Sequence, residues 1–241
     1  VEGKKIKFGS LFAGIGGFDL GLERAGMECA WQVENDKYCL KVLEKHWPGV
    51  SRYTDVRECR RDNLEPVDLI CGGFPCVDIS RAGKKEGING KDSGLWTELF
   101  RIIGELRPQY AVVENVSDLL WRGASTVFGD LASIGYDAEW EVVPAAIIGS
   151  PQIRERLFIV AYPYSKHGGA RLVFHEENRK ALLKKGDEYR SELWAKAPAY
   201  PVGVAHGVPS RVDRLRSLGN AVVPQVAEFI GRRILEVENQ S

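Results

Sequence analysis

The side chains best suited to chemistry stand where apolar runs end. Pro75-Cys76 follows Gly72-Gly73-Phe74, directly after the apolar run Val67–Cys71. In an open α/β sheet the carboxyl ends of strands face the crevice that binds ligands. A proline there fixes the backbone ahead of the thiol, and a thiolate is a strong nucleophile. A free cysteine can equally pack as a small hydrophobe. Two neighbours favour the reactive reading. The following stretch, Ser80 to Ser93, is rich in glycine and lysine and unlike a core segment. The next apolar run, Tyr110–Val113, ends in Glu114-Asn115-Val116, which brings a carboxylate to the same crevice. A second group suits a nucleotide-like ligand. Phe12-Ala13-Gly14-Ile15-Gly16-Gly17 closes the first strand and opens the first helix, where glycines allow close backbone approach and free N–H groups point outward. Glu34, twenty residues after Gly14, is placed to hold the hydroxyls of a ribose. Asp55, followed by Val56, is a candidate for an adenine amino group. NAD and S-adenosylmethionine fit this second group equally well.

The elements that must position these groups alternate. Short apolar strands at Ile6–Phe12, Cys29–Glu34, Val67–Cys71 and Tyr110–Val113 are separated by segments of helical period, notably Phe18-Leu22-Ala25 and Leu95-Leu99-Ile102-Ile103-Leu106. This is the pattern of βαβ units around a mostly parallel sheet. Strands near Glu139–Val143 and Leu157–Ala161 have no helix between them and read as a hairpin at the sheet edge. Residues 164–206 are polar, hold three of the four histidines, and show one helical patch at Arg179–Lys185. A last helix runs from Pro224, tolerated in a first turn, to Val237. The expected organisation is one α/β domain, residues 1–163 and 207–241, with a small region at 164–206.

Composition narrows the field less. At 241 residues the chain can bury one full core. No apolar run reaches the ~20 residues of a membrane span, and the first residues lack a signal-peptide core. Five cysteines without a CxxC pair argue against a disulfide framework or structural zinc. Net charge is zero, so nucleic-acid binding is not advertised in bulk. Arg81, Lys84, Lys85 and Lys91 nevertheless share one stretch, and Arg211, Arg214 and Arg216 another.

Taken in order, these segments resemble the motif set of the cytosine-C5 DNA methyltransferase family across nearly the whole chain. Phe12 to Phe18 is similar to its cofactor loop, Glu34 and Asp55 to its next cofactor contacts, and Pro75-Cys76 to its nucleophile segment. Glu114-Asn115-Val116 is similar to its Glu-Asn-Val. Gln152-x-Arg154-x-Arg156 matches its Gln-x-Arg-x-Arg, and Gly219-Asn220-Ala221-Val222 with Pro224 matches its final cofactor segment. The resemblance implies a Rossmann-like class I methyltransferase fold, with a mixed, mostly parallel sheet, helices on both faces and a small target-recognition lobe at 164–206.

It also implies roles. Cys76, Glu114, Arg154 and Arg156 would be catalytic. Phe12, Ala13, Gly14, Gly16, Gly17, Glu34, Asp55, Val56, Pro75, Leu95, Asn220 and Val222 would hold S-adenosylmethionine, with no metal. Ser80, Arg81, Lys84, Lys85, Lys91 and Arg211 would contact DNA, the stretch Ser80–Ser93 closing over an extruded base. The implied partner is double-stranded DNA, with a cognate restriction endonuclease as a second partner where one exists. The implied setting is the cytoplasm of a bacterial or phage-infected cell, and a monomer is expected. Two departures stand out: Val77 occupies a position where many relatives carry glutamine, and the recognition region is short. The competing readings are a tRNA cytosine methyltransferase of the same family and an inactive DNA-binding relative. The second predicts loss of the thiol, the carboxylate or Asn220, and all three are present.

Overall fold

The computed structural model describes residues 5–75, 95–148, 154–167, 172–189 and 209–240. Cys76, Ser80, Arg81, Lys84, Lys85, Lys91 and Gln152 lie outside the described residues. Seven strands form one sheet: β1 (Lys7–Leu11), β2 (Glu28–Val33), β3 (Ser51–Tyr53), β4 (Leu69–Gly73), β5 (Tyr110–Val116), β6 (Tyr136–Pro144) and β7 (Glu155–Pro163). Their order is β3-β2-β1-β4-β5-β7-β6. The first five run parallel, and β7 is antiparallel to both its neighbours. The expected hairpin is therefore present. β7 inserts between β5 and β6, so of the two hairpin strands only β6 is at an edge.

Side chains alternate across the central strands as two-sided burial requires. Tyr110 and Val112 of β5 and Phe158, Val160 and Tyr162 of β7 face one core. Ala111, Val113, Leu157, Ile159 and Ala161 face the other. Helices α1 (Gly17–Ala25) and α9 (Pro224–Gln240) cover the first face, through Phe18 and Leu22 and through Val226, Ile230 and Ile234. On the second face lie α3 (Leu95–Leu106), α4 (Leu119–Arg122) and α5 (Ala124–Ser133), whose Leu99, Ile103, Val127 and Leu131 are fully buried. This is the doubly covered, Rossmann-like methyltransferase architecture anticipated above.

The remaining helices are α2 (Lys37–His46), α6 (Tyr164–His167), α7 (Glu176–Tyr189) and α8 (Arg211–Asn220). The patch at Arg179–Lys185 thus extends to four turns as α7. The charged stretch Arg211–Arg216, which carries no core-facing period, is the start of α8. That helix buries none of its residues, and Val212, Leu215 and Leu218 stand exposed. Part of the 164–206 region is tied into the main core, where Val173, Phe174 and Leu182 are buried with the β1, β5 and β7 residues. Among the described residues no helix is long and apolar enough to cross a membrane.

The strand order reverses between β1 and β4, the neighbours from which the chain leaves in opposite lateral directions. Their carboxyl ends lead into the glycine loop and into Phe74-Pro75, respectively. Ligands bind at such a switch point.

Candidate active site

A cavity of about 560 Å³ opens at this switch point, within the usual range for small-molecule sites. On one side it is walled by Phe12, Ala13, Gly14 and Phe18 from the glycine loop and α1. Glu34 and Asp36 follow β2, and Asp55 and Val56 follow β3. The opposite side is built from Pro75, Leu95, Glu114 and Arg156, and Asn220 and Val222 close it from α8 and the turn beyond. Twelve of the residues singled out in the sequence therefore meet in one cavity: the four loop and switch-point residues Phe12, Ala13, Gly14 and Pro75, together with Glu34, Asp55, Val56, Leu95, Glu114, Arg156, Asn220 and Val222.

Gly16 and Gly17 do not line it. Gly16 is the left-handed N-cap of α1 (φ 84°) and packs on Trp47. Gly17 stands behind the wall, where a Cβ would come within 2.3 Å of the Val222 carbonyl oxygen. That close approach joins the first cofactor-like segment to the last. Gly17→Ala must therefore push Val222 outward. It is expected to cost about 1–3 kcal/mol in urea unfolding. Unchanged stability would mean that the two segments are not coupled in this way.

The acidic side of the cavity is held from below by backbone amides. Glu34 accepts from Gly14 N at 2.7 Å through Oε2, and from Asn35 N and Asp36 N at 2.9 and 2.8 Å through Oε1. An ionised carboxylate has about four acceptor sites, so these three bonds leave one unused on a residue that lines the cavity. Gly14 (φ 58°) has open space where a Cβ would stand, leaving room for a ligand against the loop. Asp55 caps the turn Val56–Glu58 by accepting from Arg57 N at 3.0 Å, and its second oxygen makes none of these contacts. Asp36 caps α2, accepting from Tyr38 N and Cys39 N. The amide bond from Cys39 holds its carboxyl below the usual range. These features fit an adenosine-bearing ligand at the loop side.

The other half of the cavity is built around a buried acid. Glu114 sits within β5, which continues to Val116; the sequence reading had placed it at the strand end. It pairs with Gly73 of β4 and with Phe158 of β7. A Cβ on Gly73 would lie 2.7 Å from Glu114 Oε2, so a larger residue there would force this carboxylate to shift. Arg156, two residues from Phe158 along β7 and on the same face, brings Nε to 2.9 Å from Oε1. The contact is an ion pair with the N–H poorly aimed, and Oε1 keeps an unused acceptor. Burial pushes the carboxyl up to about 7, against the opposing charges of Arg156 and Arg154.

Asn115 is 3% exposed and donates to the Phe74 carbonyl at 3.1 Å. Phe74 also packs on the Trp96 ring. The backbone that leads into Cys76 is thereby fixed to the strand carrying Glu114. Arg154 is half-buried and outside the wall. Its Nη1 donates to Leu218 O at 3.4 Å, while Nε and Nη2 have no partner among the described residues. Burial and the neighbouring Arg156 charge lower its pKa.

The sequence reading did not single out Asp36, Cys39, Arg57 or Ser217, and named Arg216 only as part of a basic stretch; all five line the cavity. Arg216 approaches Asp36 at 3.8 Å, and Ser217 Oγ lies 3.6 Å from Cys39 Sγ. Ser217 stands one helical turn before Asn220 on α8, but that helix buries no residue and so carries no apolar period that could have marked it in the sequence. Arg211 opens α8 and is absent from the wall.

Comparison with known proteins agrees with this geometry. The model of the C-5 cytosine-specific DNA methylase family matches residues 6–196. The Type II methyltransferase M2.BsuMI of Bacillus subtilis is 38% identical over 164 residues, 65% of this chain and 42% of that protein. The Type II methyltransferase M.DsaV of Dactylococcopsis salina is 32% identical over 166 residues, 67% of this chain and 47% of that protein. Among solved structures, a prophage-encoded E. coli protein described as a DNA modification methyltransferase superposes with a TM-score of 0.57 at 26% identity. That match covers 67% of this chain and 47% of the other. The chain thus spans less than half the length of these relatives. With the family model matched over most of its length, this chain belongs to the C-5 cytosine-specific DNA methylase family.

Proposed function

We propose that the protein is a DNA (cytosine-5-)-methyltransferase that uses S-adenosylmethionine and forms a covalent bond between Cys76 and C6 of an extruded cytosine. The observation that carries this reading is the buried Glu114, paired with Arg156, across one cavity from a loop that fits an adenosine-bearing ligand. Cytosine C5 is a poor nucleophile, and thiolate addition at C6 turns the ring into an enamine. Glu114 would then meet N3 and the exocyclic amine. Its raised pKa lets it hold a proton near neutral pH and offset the charge that builds on the ring. Arg156 would bind O2 and orient Glu114, with Arg154 behind it. Phe12 to Gly14, Glu34, Asp55, Asn220 and Val222 would hold S-adenosylmethionine, which would supply the electrophilic methyl group to C5 and leave as S-adenosylhomocysteine. Loss of the C5 proton then expels the Cys76 thiolate and restores the aromatic ring.

The target atoms are inside a duplex, so the base must leave the stack. Arg81, Lys84, Lys85 and Lys91, with Ser80 and Arg211, are assigned to phosphates, contacts that give salt-dependent affinity without sequence information. Residues 164–206 are assigned to target recognition. A restriction endonuclease partner, a monomeric state and a cytoplasmic setting complete the proposal.

The test uses duplex DNA carrying 5-fluorocytosine in many short contexts, incubated with S-adenosylmethionine. Fluorine cannot leave as the C5 proton does, so a protein–DNA adduct should survive denaturation. An adduct on tRNA and none on any DNA would replace DNA by RNA as the substrate. No adduct on either, with cofactor bound, would mark a binding protein without catalysis.

A further inference from the structure

Away from the cavity, one buried acid has an arrangement that the proposed chemistry does not use. Glu139 lies on the edge strand β6 and is 5% exposed. Its Oε1 accepts from Leu172 N at 3.0 Å and Val173 N at 2.9 Å, and its Oε2 accepts from Phe174 N at 2.9 Å. Three successive backbone amides thus converge on one carboxylate. The same segment is held from its other side by Asn178, 6% exposed, whose Nδ2 donates to Leu172 O at 3.3 Å and Val173 O at 3.0 Å. Asn178 Oδ1 in turn accepts from Arg233 Nη1 of α9 at 3.2 Å. Val173 and Phe174 are buried in the core beneath.

Anchoring alone does not require this chemistry. Val173 and Phe174 already bury apolar surface, and a buried carboxylate carries a desolvation cost that an apolar residue would not. What the carboxylate adds is direction, because three bonds to consecutive amides fix the path of the backbone and not merely its attachment. The path is coupled to the active site. Glu139 pairs with Val160, and four residues along β6 Val143 pairs with Arg156. Helix α7, which follows the clamped segment, packs on the turn Ala145–Ile148, and Ala145 N donates to Arg154 O at 2.8 Å.

We infer that Glu139 is a positioning residue, the clamp that sets segment 172–178 and α7 in register with the strand bearing Arg156, so that target recognition and base binding share one frame. This rests on the assignment of 164–206 to target recognition. The test compares wild type, Glu139→Gln, Glu139→Asp and Asn178→Ala for S-adenosylmethionine affinity, for kcat and KM on duplex DNA, and for methylation at non-preferred contexts. Glutamine keeps the shape but puts an NH2 group against an N–H donor. About a tenfold rise in the KM for DNA is expected, with more off-context methylation and cofactor affinity unchanged within about twofold. Asn178→Ala should move the same quantities less, and Glu139→Asp should recover part of the loss. An unchanged KM in both Glu139→Gln and Asn178→Ala would overturn the inference. So would a parallel loss of cofactor and DNA binding, which marks a purely structural role. A wild type inactive on DNA would instead sink the methyltransferase reading, and this inference with it.

Discussion

Glu114→Gln is expected to lower kcat on DNA by about 10²–10⁴-fold, the usual worth of a positioned general acid, with S-adenosylmethionine binding retained. Glutamine matches the shape of the protonated acid and keeps an oxygen beside Arg156, so the cavity should survive while proton sharing is lost. The same variant has a second signature in stability. Burial raises the carboxyl from its ordinary value to about 7. Between about pH 4.5 and pH 7 the folded protein therefore holds a proton that the unfolded chain has released. Stability from this group is full below that window and is lost as pH rises through it, with a slope of at most ~1.4 kcal/mol per pH unit. Denaturant unfolding of wild type against Glu114→Gln between pH 5 and pH 8 should show the slope in wild type alone. Wild-type methylation should also decline above pH 7 as Glu114 ionises. Identical pH dependence of stability in both proteins, or a variant with the wild-type rate, would remove Glu114 from the role assigned to it.

Cys76→Ser should be the more damaging change for chemistry. A hydroxyl is a far weaker nucleophile than a thiol near neutral pH, and no described residue of the proposed site is assigned to activate it. Methyl transfer should fall by at least ~10³-fold, and the adduct on 5-fluorocytosine DNA should vanish. DNA and cofactor binding should remain, since neither is assigned to the thiol. A serine variant that still traps DNA covalently would require a different nucleophile.

Much of the frame behind these expectations was legible in the linear chain. The central strands are buried on both faces and read as apolar runs; α3 has a strong helical period; Pro224 opens α9. Elements without such a stripe were not legible. Helix α8 buries nothing, so its sequence carries no period that a core would impose. The one-turn α4 is too short to show a period, and α5 mixes apolar with small residues; both were passed over.

The sequence by itself determined which chemistry this chain can attempt: a thiol after Pro75, a carboxylate in Glu114-Asn115-Val116, a glycine loop, and Glu34 at the right separation, because those residue types are the reagents. Tertiary structure alone decided how they work together. Glu114 has a raised pKa because the sheet buries its carboxyl away from water, while β7, inserted beside β5, brings Arg156 across a shared face and opposes that rise. Gly73 is small because β4 runs in register beside that carboxylate. Gly17 supports Val222, more than two hundred residues later, through a contact no spacing announces. Glu139 became a clamp only when residues 172–174 came to rest against it. Local sequence specifies reactive groups and periodicities, whereas pKa, orientation and steric tolerance arise from neighbours that are distant in the chain.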